Sequence, residues 1–120
     1  MSSIAGAAEL ATLKAIAEAY FDALRDGNLK RVPWASGVVL YAPLAEKKPL
    51  TGRQEVEAFL APLAGKLGEI RIREIYISPD KNAMAVEAIV GPLHVIDKFV
   101  IRDGKIVEQQ NFYDPRPILK

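Results

Sequence analysis

Apolar residues recur at spacings of three and four through Leu10, Leu13, Ala17, Tyr20, Phe21 and Leu24, which predicts a helix with one apolar stripe. Asp26-Gly27-Asn28 should end it, with Gly27 as the C-terminal cap. Leu29 to Trp34 reads as a short helical or irregular turn closed by Pro33 and Gly37, and Val38 to Ala42 as a strand stopped by Pro43. The segment from Leu44 to Leu50 reads as a loop. Thr51 and Gln54 fit a capping box, in which hydroxyl and amide each satisfy an orphan backbone N–H. The helix they open carries Val56, Phe59, Leu60 and Leu63 on one face, and Pro62 kinks or ends it before Gly65 and Gly68.

From Glu69 the period drops to two. Ile70 and Ile72 share one strand face while Ile75 and Ile77 fall on the other, so a bulge is expected near Arg73-Glu74. Ser78 to Asn82 is a turn. Met84, Val86, Ala88 and Val90 then share a strand face, Gly91-Pro92 breaks or bends that strand, and Leu93 to Ile101 resumes it. Asp103-Gly104 turns the chain, and Lys105 to Tyr113 returns before a proline-containing tail. Helix, strand, helix and a meander of strands define an α+β class: a curved, mostly antiparallel sheet with helices segregated on its concave face.

Composition narrows the functions open to such a fold. The 120 residues suit one domain, 1–120. With 16 basic and 15 acidic residues spread along the chain, no electrostatic footprint for nucleic acid is visible. No apolar run is long enough for a membrane helix, and the first residues lack the basic region of a signal peptide, so a cytoplasmic protein is expected. There is no cysteine and only one histidine, and no glycine-rich phosphate loop or nucleophile elbow, so neither metal nor cofactor is expected.

One residue violates the binary pattern. Along Leu93, Val95, Asp97, Phe99 and Ile101 the strand face is apolar except at its centre. Burial without a cation would raise the Asp97 pKa and leave a neutral carboxyl able to donate a hydrogen bond. The alternative is that Lys98, Arg102 or another cation pairs with it, or that this face is solvent-exposed near Asp97. Tyr20 could turn its hydroxyl into the same cavity or be an ordinary core residue. Trp34, Tyr41, Phe59 and Tyr113 are open between core and pocket wall, Met84 and Val86 are further candidates for the wall, and Gln109 and Asn111 either offer neutral hydrogen bonds to a small apolar ligand or lie on a solvated strand face. A two-residue Asp103-Gly104 turn would place Gln110 opposite Asp97, whereas a three-residue loop, the favoured reading, would place Gln109 there. His94 falls on the face opposite Asp97, and Glu87 reads as outward. Ile72, Ile75, Ile77, Ile96 and Val100 supply more apolar strand surface than one pocket needs, which suggests a homodimer through the outer sheet face.

The segments Ala19-Tyr20-Phe21-Asp22-Ala23-Leu24-Arg25-Asp26-Gly27-Asn28-Leu29, Leu50-Thr51-Gly52-Arg53-Gln54 and Ile96 to Glu108 resemble the SnoaL-like proteins of the nuclear-transport-factor-2-like superfamily. The resemblance spans almost the whole chain. It implies the cone-shaped NTF2-like, or cystatin-like, fold around a small-molecule pocket, and it leaves activity open among isomerases, cyclases, dehydratases, hydrolases and noncatalytic binders. Compared with bacterial ketosteroid isomerases, Tyr20 falls on the oxyanion-hole tyrosine and Asp97 on the neutral oxyanion-hole aspartic acid; isomerases of this kind are the standard example of a carboxylic acid kept neutral to donate. The isomerase base precedes the proline that ends the first long strand, and here that position is Ala42. Leu60 stands near the place of the supporting tyrosine. The resemblance therefore implies a donor pair, Tyr20 and Asp97, without the isomerase base.

Overall fold

The computed structural model describes residues 2–43 and 48–118, with side chains from residue 10 onward. Most of the loop expected from Leu44 thus lies outside the described residues. The first helix, α1 (Ser2–Asp26), runs 25 residues and buries Leu13, Ile16, Ala17, Tyr20, Phe21 and Leu24 on one stripe. Leu10, counted in that stripe from spacing, is 37% exposed, because the stripe outruns the sheet beneath it. Gly27, at φ +84°, donates its N–H to the Ala23 carbonyl and closes the helix as expected.

A short 3-10 turn (Leu29–Arg31) leads into β1 (Trp34–Tyr41), so the strand begins four residues before the expected Val38. A register shift between Trp34 and Val39 accommodates Gly37 inside the strand, where sequence reading took the glycine for a stop. After β2 (Leu50–Thr51) comes α2 (Arg53–Leu60). Its N-cap is Gly52, with no side-chain cap. The expected Thr51–Gln54 capping box does not form, because Thr51 is held in the sheet opposite Val39. Glu55 instead accepts the Thr51 N–H, at 3.0 Å.

Four strands follow: β3 (Ile70–Ile77), β4 (Ala83–Val90), β5 (Leu93–Arg102) and β6 (Lys105–Phe112). They complete a curved six-stranded sheet of order β2-β1-β6-β5-β4-β3, antiparallel throughout except for the parallel pairing of β1 with β6. Gly91-Pro92 does not bend a continuing strand. It is the tight turn of a hairpin that pairs Val90 with Leu93 and Val86 with Asp97. Gly91 can make the turn because its φ is +58°, and its N–H is held by the Glu69 carbonyl at 2.7 Å.

The bulge expected near Arg73 is present, between Ile72 and Glu74. Its effect corrects the dimer argument drawn from sequence. The extra residue resets the alternation, so Ile75 pairs with Val86 and Ile77 with Met84, and both pack on the core beside Ile72. The outward residue of this stretch is Tyr76, 57% exposed.

Candidate functional site

Strand alternation delivers Asp97 to the concave face. Leu93, Val95, Phe99 and Ile101 are buried on that side, while His94, Ile96, Lys98 and Arg102 alternate outward. Lys98 and Arg102 therefore cannot pair with Asp97. Among the described residues none forms a hydrogen bond or ion pair with its carboxyl, which is only 4% exposed. Burial alone pushes its pKa up to about 8, since removing water penalises the charged form and no cation offsets the loss. Near neutral pH Asp97 is a carboxylic acid.

The hairpin register differs from both sequence alternatives. Asp103 and Gly104 form a two-residue turn, with φ of +53° and +75°, that pairs Arg102 with Lys105. A bulge then makes Val107 an extra residue, so Val100 faces Glu108, Phe99 faces Gln109 and Asp97 faces Asn111. Gln109 and Asn111 both end inward, 0% and 8% exposed.

Asp97 opens on a cavity of about 40 Å³ between α1, the segment from Phe59 to Leu67, and the sheet. Tyr20, Phe59, Asn111 and Tyr113 line it with Asp97, and leucine and valine side chains supply the rest. Its volume suits a few waters or one small functional group. A larger cleft of about 520 Å³ lies by Leu13 and the turns at 80–82 and 101–104. Exposed turn residues make up most of its lining, with buried Leu13 and Ile101, and the candidate site is the smaller cavity, which holds the unpartnered buried acid.

Behind the cavity lies a buried polar chain. The Trp34 indole N–H donates to Gln109 Oε1 at 3.4 Å, and Gln109 Nε2 donates to Asn111 Oδ1 at 2.9 Å. Burial, and then the nearby Asp97, hold the Tyr20 pKa well above its ordinary value, with the Gln109 amide pulling weakly the other way. Tyr113 is raised as well, by burial and then by Asp97. Tyr20 is fixed by edge-on contacts with Phe21, Trp34 and Phe99, at centroid distances of 4.9, 6.4 and 5.2 Å.

The structure thus gathers Asp97, Tyr20, Phe59, Asn111 and Tyr113 around the cavity, with Trp34 and Gln109 directly behind. Met84 and Val86 are buried in the core without lining it. Tyr41 does not reach it at all, being 40% exposed on the outer face opposite Gln110. His94 is outside too, with its Nε2 2.6 Å from Glu87. The sequence marks Leu24, Leu60, Leu63, Val90, Leu93 and Val95 only as apolar-face residues, not as lining, and gives no signal for Leu67, which lies in a connection without periodicity. Among the described residues no cluster of three His, Cys, Asp or Glu could hold a metal, and no helix is long and apolar enough to cross a membrane.

The chain belongs to the SnoaL-like domain family, whose model matches residues 17–109. The fold is the NTF2-like, cystatin-like α+β fold. It is similar to an NTF-2 like protein of Burkholderia xenovorans LB400, at TM-score 0.76 and 16% identity over 88% of this chain and 85% of that one. A Jannaschia protein assigned as a SnoaL-like polyketide cyclase superposes at TM-score 0.73 with 14% identity, over 90% of this chain and 89% of that one. A Mycobacterium tuberculosis LEH-like epoxide hydrolase superposes at TM-score 0.62 with 23% identity, over 85% and 82%. At these identities the likeness is one of fold. No protein with a curated description matches the sequence.

Proposed function

We propose that this protein binds a small, mostly apolar carbonyl compound and that neutral Asp97 donates a hydrogen bond to its oxygen. The observation that carries this reading is a buried carboxyl on the wall of an apolar cavity with no partner among the described residues. The cavity takes the carbonyl group, and the apolar side chains around its mouth take the adjoining carbons. The test is a carbon-13 NMR titration of the Asp97 carboxyl with and without small ketones. The midpoint should lie at about 8, and a midpoint in the ordinary carboxylate range would remove the donor.

The sign follows from the same value. The protonated form binds, so affinity should be level at low pH and fall roughly tenfold per unit above about 8. The charged and titratable neighbours change nothing below that: Tyr20 of α1 and Tyr113 after β6 both titrate higher, and β4 offers only Val86. Asp97→Asn keeps a donor and should hold its affinity through this range; Asp97→Leu should lose it.

A second reading, isomerase-, cyclase- or dehydratase-type catalysis on such a compound, is favoured by the same acid, which keeps its proton at neutral pH yet can release it. A carboxylate base separate from Asp97 is missing from the described cavity, where Ala42 and the outward His94 supply none. Any proton shuttle would therefore run through Asp97 itself.

For the outer face we propose association of two copies. Ile96 and Phe112 are direct cross-strand neighbours, 44% and 49% exposed, with Tyr76 and Tyr41 on the same face. Light scattering at micromolar concentration should give a dimer mass for the wild type and a monomer mass for Phe112→Glu. A monomeric wild type would end this proposal.

A further inference from the structure

The direction of the buried polar chain is set at one end by chemistry. An indole nitrogen can only donate, so Gln109 must turn its carbonyl oxygen to Trp34 and its amide NH2 away. One of those amide hydrogens then goes to Asn111 Oδ1. With its oxygen occupied, Asn111 is left with its own NH2, and among the described residues that NH2 has no acceptor. The Tyr20 hydroxyl, like any phenol, both donates and accepts. Asn111 and Tyr20 line the cavity, whereas Trp34 and Gln109 do not.

Counting what faces the cavity gives a surplus of donors. Asn111 brings two N–H groups and neutral Asp97 an O–H against the carbonyl oxygen of Asp97, while the hydroxyls of Tyr20 and Tyr113, which also line the cavity, each donate and accept and leave that balance unchanged. Buried polar groups need partners, so this surplus calls for an acceptor from the ligand. An alcohol or amine would add donors to a site already rich in them, leaving one buried and unpaired.

We infer that Trp34 is a positioning residue which, acting through Gln109, turns the amide NH2 of Asn111 toward the cavity and so restricts the ligand's polar group to a bare acceptor oxygen. This rests on the carbonyl-binding reading above and adds to it where the selectivity comes from. Trp34 is well held for the role. It is 2% exposed, its backbone N–H donates to the Val32 carbonyl at 2.9 Å, and it pairs with Ile106 of β6. Gln109, 0% exposed, has no room to exchange partners with solvent.

The test compares cyclopentanone with cyclopentanol, matched in skeleton and differing in the polar group. Wild-type protein should prefer the ketone by roughly tenfold or more. Trp34→Phe keeps an aromatic ring and removes the donor, so the ratio should fall toward unity with the fold intact by circular dichroism. Gln109→Glu offers oxygens to both Trp34 and Asn111, so the Asn111 amide should reverse and the preference should shift to the alcohol. Unchanged ratios in both folded variants would overturn the relay. Wild-type NMR provides a ligand-free check that needs no variant to fold. The Gln109 NH2 protons should show nuclear Overhauser effects to the Tyr20 ring, and finding them against the Trp34 indole instead would also overturn it. Failure of wild-type protein to bind the ketone, with that amide orientation confirmed, would sink the carbonyl reading and leave the relay standing.

Discussion

Asparagine in place of Asp97 is expected to make this protein more stable, by about 3 kcal/mol or more at pH about 8. In the unfolded chain the carboxyl ionises near its ordinary value of 3.8, whereas in the folded protein it holds its proton up to about 8. Between those values the folded state binds more protons than the unfolded one, so stability falls as pH rises, by about 1.4 kcal/mol per unit, and levels off above the folded pKa. An amide has no charge to lose and escapes that decline. The gap between wild type and Asp97→Asn should therefore be small near pH about 4 and widest from about 8 upward, roughly 10 °C or more in melting temperature for a domain of this size. Exposed Asp80 and Asp114, whose pKa values are lowered by local hydrogen bonds, affect both proteins alike and drop out of the difference. Thermal melts of the two proteins across this range decide it. Parallel curves would mean that the carboxyl is better solvated than its burial indicates. A residue that costs stability at its own position, with no structural partner to justify it, is what a binding or catalytic role leaves behind.

Gly91→Ala should be among the most damaging single changes available, costing roughly 3 kcal/mol or more. A methyl group there would lie 2.0 Å from the Leu67 carbonyl oxygen and 3.0 Å from its carbon, at a φ of +58°. The obstacle is backbone, so no rotamer change relieves it. Gly104 supplies the control, because its φ is also positive, +75°, but nothing lies within 4 Å of its Cβ position. Gly104→Ala should cost only the conformational term, about 1 kcal/mol. Urea melts of the two variants isolate the clash as their difference; similar midpoints would show that the 67–69 segment yields easily. Because Leu67 lines the Asp97 cavity, Gly91→Ala should disturb ligand binding as well as stability.

Much of the site could be read from residue order because strand alternation is a short-range rule. Asp97 sits at an inward position of a strand whose other inward residues are Leu, Val, Phe and Ile, and that parity needs no tertiary knowledge. Parity also places His94 and Lys98 outside. What could not be read depends on one-residue changes in register. The bulge at Val107 decides that Asn111 rather than Gln109 or Gln110 faces Asp97, and no local residue preference announces it. The sequence leaves Trp34 open between core and pocket wall, since its place in β1 depends on the parallel pairing with β6, a contact between distant segments. The capping box failed for a related reason. Thr51 satisfies the local pattern, but pairing with β1 engages it first.

The bulge between Ile72 and Glu74 was described as the device that returns Ile75 and Ile77 to the core. It also sits on β3, a border strand of the sheet whose far side has no strand neighbour among the described residues. A flat border strand rich in isoleucine would be a template for strand addition by another chain, and a route to aggregation. Here the irregularity interrupts the run of free backbone groups at mid-strand, and Arg71, Arg73 and Glu74 set charge along it. The same extra residue that seals the core thus guards the border against strand addition.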